Sequence, residues 1–108
     1  MVRKTIPKKV EKAVKDYTEE LKKDGLLIRK LILYGSYAKK KAHKWSDVDI
    51  CIISPNFKNK DPLEYLWLKK TNRDVEAMIA PVGFHPKDFI DESPLAYEIK
   101  RTGIEIKV

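Results

Sequence analysis

A chain of 108 residues has room for one domain with a modest core, and the expected organisation is a single domain over residues 1–108. With 36% charged residues the surface must be densely charged, and with one cysteine an internal disulfide framework is excluded. No stretch approaches the ~18 consecutive apolar residues of a membrane span and nothing resembles a leader, so the expected setting is soluble and cytoplasmic, away from membranes. The formal net charge of +7 leans weakly towards a phosphate-bearing partner. The basic residues are spread through the chain beside acids, however, and that pattern equally describes a solvated Lys/Glu surface.

After a polar start at residues 1–5, the pattern turns helical at Pro7. Val10, Val14, Tyr17 and Leu21 recur at steps of three and four, with charges between them. Lys22, Lys23 and Gly25 suit a helix end. Residues 26–34 read as a first strand, apolar on both faces from Leu31 to Tyr34. Gly35 breaks it, and Ser36 is placed to cap a short helix through Ala38, whose first N–H groups would attract an anion. Past the basic run Lys39–Lys41 and a loop through Trp45 and Ser46, a second strand runs from Asp47 to Ile53. Cys51 lies inside it and reads as buried filler.

The spacing predicts a helix from Pro62 to Lys70, with Tyr65 and Trp67 as packing aromatics. Residues 73–80 read as a third strand, with Asp74, Glu76, Met78 and Ala80 on one face. Pro81-Val82-Gly83-Phe84 reads as a turn. A helix is expected to start at His85-Pro86, to break or restart at Pro94, and to end at Gly103. Ile104-Glu105-Ile106 alternates as a terminal strand. The order α-β-α-β-α-β-α-β implies a small α/β fold with a mixed sheet and helices on one side.

The chemistry concentrates in residues 31–53. Asp47 and Asp49 are two apart, so a strand directs both carboxylates to one face with Cα atoms roughly 6.5 Å apart. Two like charges on one spot repel, and a divalent cation is the usual remedy. Phosphoryl and nucleotidyl transfer need charge neutralisation, an activated attacking oxygen and a held leaving group, and hard cations in a carboxylate cage can provide these. Asp47, Asp49 and one acid of the Asp74/Glu76 pair could form such a cage from two adjacent strands, with the Gly35-Ser36 turn holding phosphates.

The segment GSYAKKKAHKWSDVDICII resembles the signature of the polymerase-β-like nucleotidyltransferase superfamily, and it most resembles the minimal nucleotidyltransferase (MNT) domains. The resemblance runs from about Leu31 to Phe89. It implies a small mixed sheet packed against helices and an enzyme using Mg²⁺ or Mn²⁺ with ATP or another nucleoside triphosphate. Gly35-Ser36 would bind phosphate, with Lys40 and Ser46 nearby, and Asp47 and Asp49 would be the first two metal-binding acids. The third family acid follows an aliphatic residue on a neighbouring strand, which selects Glu76, with Asp74 in reserve. Many members carry a second glycine in Gly-Ser-x-Ala-x-Gly, where this chain has Lys40. Small members are often encoded beside a helical partner of the HEPN type, as the antitoxin of a pair, and some such antitoxins resemble enzymes that transfer AMP to a tyrosine of the toxin. The competing class is a module without chemistry that binds a nucleotide, nucleic acid or a partner, using the Lys39–Lys41 run.

Overall fold

The computed structural model describes residues 6–43, 46–58 and 60–108. Helix α1 (Lys8–Lys23) opens behind Pro7, with Glu11 in its first turn and Lys22 and Lys23 in its last, so its charges oppose the helix dipole at both ends. Val10, Val14, Tyr17 and Leu21 form its buried stripe. Four strands follow in one sheet: β1 (Lys30–Tyr34), β2 (Val48–Ile53), β3 (Ile79–Phe84) and β4 (Ile104–Ile106), in the spatial order β3-β2-β1-β4. β1 is antiparallel to both β2 and β4, and β2 is parallel to β3. A parallel pair needs a crossover, which here carries α2 (Pro62–Leu68) and α3 (Asn72–Glu76). Helix α4 (Pro94–Thr102) returns the chain to the β4 edge.

Strand alternation sorts the core onto two faces. On the first, Leu31, Leu33, Val48, Ile50, Ile52 and Ile79 pack against α1 and against Leu66 of α2. The Tyr17 hydroxyl crosses this layer and donates to the Leu66 carbonyl at 2.6 Å, so its one polar atom is satisfied under burial. On the second face, Ile32, Cys51 and Ile53 pack with Ile99 of α4, bordered by Val82, Phe84 and Phe89. Cys51 is fully buried there, and burial pushes its thiol up to about 12. The expected sheet with helices on one side is therefore corrected: α4 covers part of the other face.

Three local expectations also change. Residues 72–76 form helix α3 instead of strand. Thr71 starts it, donating its N–H (2.9 Å) and its hydroxyl (3.1 Å) to Asp74 Oδ2. This is the capping-box arrangement, and it outweighs the two-residue alternation that suggested a strand. The third strand lies later, at 79–84, where a turn was expected. Pro81 is tolerated because β3 is an edge strand. Residues 35–40 form successive hydrogen-bonded turns rather than a helix at Ser36–Ala38. Between the 3₁₀ turn at Pro86–Asp88 and α4 the chain is irregular, so Pro94 restarts a helix, capped by Ser93, whose hydroxyl accepts from the Ala96 N–H at 3.3 Å.

Candidate active site

The site is built where β1 ends beside the start of β2. Tyr34 pairs with Asp49 in the antiparallel register, so the chain leaving β1 turns directly over that carboxylate. Gly35 makes the turn with φ +76°, and a Cβ placed on it would overlap Asp49 Oδ2 and lie 3.1 Å from Asp49 Cγ. Glycine is needed here twice over, for the left-handed backbone and for the close approach. The turn closes through the Lys39 N–H to the Gly35 carbonyl (3.0 Å) and the Lys41 N–H to the Ser36 carbonyl (2.8 Å). Its far end is Lys40, at φ +61°. A left-handed L-residue costs roughly 1 kcal/mol, which gives a physical reason for a glycine at this place. Lys39 Nζ meets Glu98 of α4 at 2.8 Å, tying the turn to the second face.

Asp49 is half-buried, and its carboxyl is pushed above the usual carboxylate range, first by burial and then by Asp47. Asp47 is exposed. Neither carboxylate accepts a hydrogen bond or joins an ion pair among the described residues. An unpaired, half-buried carboxylate beside a second one is poor economy in a core and natural in a ligand site. Near them Lys70 lies over the Trp67 ring, its nitrogen 3.8 Å from the centroid. Burial lowers the Lys70 pKa, and Asp74 and Asp47 oppose that effect. Ser46 is buried, and its hydroxyl accepts the His43 N–H at 2.9 Å.

The two sequence candidates for a third acid lie elsewhere. Asp74 is 1% exposed, consumed by the α3 cap and by an ion pair with Arg73 at 3.4 Å. Glu76 ends α3 and is exposed; it lines a cavity of about 660 Å³ with Lys40, His43, Ser46 and Val48. Val48 belongs to the first face, and neither Asp47 nor Asp49 lines that cavity. Among the described residues no three His, Cys, Asp or Glu side chains gather closely enough to hold a metal. The expected cage from two adjacent strands is thus not formed: β3 contains no carboxylate, and Ala80 pairs with Asp49 in its register. Asp47 and Asp49 suit a hard cation by donor type, but the three-acid set implied by the resemblance does not fit these residues. The signal missed in the sequence was Thr71-Asn72-Arg73-Asp74, a capping box that moves the following strand past Glu76.

A mixed four-stranded sheet with helices packed against it, and an Asp-x-Asp strand opening beside a glycine turn, define a nucleotidyltransferase domain of the polymerase-β-like superfamily. The chain belongs to that family: the sequence profile of the nucleotidyltransferase domain matches residues 9–106. Its fold is similar to the crystal structure of a candidate nucleotidyltransferase from Sulfolobus solfataricus, with a TM-score of 0.63 and 14% sequence identity, over 97% of this chain and 87% of that one. No curated protein matches the sequence. No helix among the described residues is long and apolar enough to cross a membrane.

Proposed function

We propose that this nucleotidyltransferase acts in the cytoplasm as one domain over residues 1–108, moving a nucleoside monophosphate, AMP from ATP foremost, onto a hydroxyl acceptor. The observation that carries the reading is Asp49, a half-buried carboxylate with no hydrogen-bond or ion-pair partner among the described residues, over which Gly35 brings the backbone of a basic turn. In the reaction the acceptor oxygen forms a bond to the α-phosphorus, the bond from that phosphorus to the bridging oxygen breaks, pyrophosphate leaves, and the hydroxyl proton passes to solvent or a base. The Gly35-Ser36 backbone and the Lys40 side chain would hold the phosphates; Asp47 and Asp49 would face the triphosphate through a divalent cation, Mg²⁺ or Mn²⁺. That cation would neutralise phosphate charge. The rest of the task belongs to positioning, because holding the acceptor oxygen about 3 Å from phosphorus replaces a bimolecular encounter.

For the acceptor, the family resemblance of the Gly-Ser and Asp-x-Asp segment supports a tyrosine on a separately encoded helical HEPN-type protein, with this chain as the antitoxin. The test is incubation of the purified chain with labelled ATP, Mg²⁺ and any helical HEPN-type protein encoded beside it, read by intact mass. Addition of AMP to the neighbour, lost in Asp49→Asn, supports the reading; no added mass and no complex rejects the protein acceptor. A second reading, binding without transfer, is favoured by Ala80 standing opposite Asp49. It is distinguished in the same assay by ATP binding without any mass gain on protein, nucleic acid or small hydroxyl acceptors.

A further inference from the structure

Ala80 is set among groups that fix its direction. It pairs with Asp49 in the parallel β2–β3 register, and it alternates with Val82 and Phe84, which border the same second-face cluster as Cys51 and Ile53. Directly paired residues of adjacent strands share a face about 4.8 Å apart. Ala80 therefore presents its methyl group beside Asp49, on the side where Asp47 and Asp49 lie by alternation. A carboxylate at this one position on β3 would converge with the other two. No other described acid compensates: Asp74 is locked in the α3 cap and Glu76 lines a cavity that the Asp pair does not reach.

We propose that Ala80 makes this a one-cation nucleotide site, in which Asp47 and Asp49 take a single divalent ion together with the triphosphate and a second ion has no cage. The inference rests on the nucleotide reading above and adds to it the stoichiometry and the residue that sets it. Divalent hard cations need six or more oxygen ligands. One ion can draw these from two carboxylates, phosphate oxygens and water. A second ion between the same two acids would bring no further protein charge, and its repulsion by the first would go uncompensated. Such a site binds the donor in its charged form while leaving the acceptor hydroxyl to be activated by something else.

The test counts ions in the presence of α,β-methylene-ATP, which binds without transferring. Mn²⁺ is titrated into the protein–nucleotide complex and bound ion is read by electron paramagnetic resonance, which also reports coupling between neighbouring Mn²⁺ ions. The expected result is one Mn²⁺ per complex for the natural chain and for Ala80→Asn. In Ala80→Asp or Ala80→Glu a second, dipolar-coupled ion should appear. Two coupled ions in the natural chain overturn the inference and leave the nucleotide reading intact. One ion in both acidic variants, with the nucleotide still bound, overturns the assignment to Ala80. Failure of the natural chain to bind the analogue at all overturns both. Should the acidic variants fail to fold, the count on the natural chain still decides.

Discussion

The two faces of the sheet answer to different demands. The face under α1 and α2 joins fourteen of the described residues into one buried cluster, from Val10 to Ile106, with every strand contributing. Among the described residues the face under α4 has a cluster of four, Ile32, Cys51, Ile53 and Ile99, and at its other end Asp49 places a half-buried carboxylate with no partner among them. Stability is concentrated on one side, which leaves the other free to hold a half-buried acid and a left-handed turn that no core would select. The difference shows a division of labour across a sheet only four strands wide.

Substitutions sharpen this contrast in order of size. Leu33→Ala, on the first face and fully buried, should cost about 3 kcal/mol in chemical denaturation, whereas Cys51→Ala at the equivalent depth on the second should cost about 1 kcal/mol. Equal losses would erase the asymmetry. Gly35→Ala should cost about 2 kcal/mol, from the positive φ and from the displaced Asp49 carboxylate, and it should weaken nucleotide binding as well. Retained ATP affinity in that variant would mean that the turn's closeness to Asp49 has no role in the site.

Lys40→Gly should act in the opposite direction and stabilise the fold by about 1 kcal/mol, because the turn keeps its left-handed residue without the Cβ penalty. Calorimetry of ATP binding on the same variant then separates a phosphate-holding lysine, whose loss weakens binding, from an obstructing one, whose loss tightens it.

The smallest expected change is the most diagnostic. Asp49→Asn should abolish nucleotide binding yet raise the melting temperature of the ligand-free protein by about 1–3 °C. The folded carboxyl titrates above its unfolded value, so ionised Asp49 opposes folding once the pH exceeds the unfolded pKa, and protonation relieves this on the acid side. The gap between variant and natural chain should accordingly shrink as the pH falls through the raised folded pKa towards the unfolded carboxylate value. A variant less stable at every pH would make Asp49 a structural residue. Partial exposure of the side chain keeps the effect small.

Much of this was readable from residue order, and the failures share a cause. The stripe Val10-Val14-Tyr17-Leu21 specified α1, and the apolar runs ending at Tyr34 and beginning after Asp47 specified the two central strands, because each pattern is local and repeats. Family membership followed from the Gly-Ser and Asp-x-Asp spacing and agrees with the family profile over residues 9–106. The third strand was misplaced because Asp74, Glu76 and Met78 alternate as strand residues do, while the side-chain bonds of Thr71 to Asp74 select a helix. The second strand pair is parallel, so the partner of Asp49 depends on where a long crossover ends. No local period encodes that register, and Ala80 was for that reason invisible as part of the site. Lys40 was read as a charged residue in the place of a family glycine; the left-handed backbone angle that explains that glycine was not legible.

The edge position of β3 has a consequence for self-association. An exposed edge strand is a template on which another chain can extend the sheet, and many proteins must guard against it. Here Pro81 has no N–H to offer, and its carbonyl already accepts the Trp67 indole N–H at 3.0 Å. Pro81 therefore cannot donate a ladder bond, and its carbonyl is already engaged, which disfavours strand addition at that point. Removing that bond in Trp67→Phe frees the Pro81 carbonyl at the edge, so the variant should stay folded but aggregate at a lower concentration, as light scattering would read.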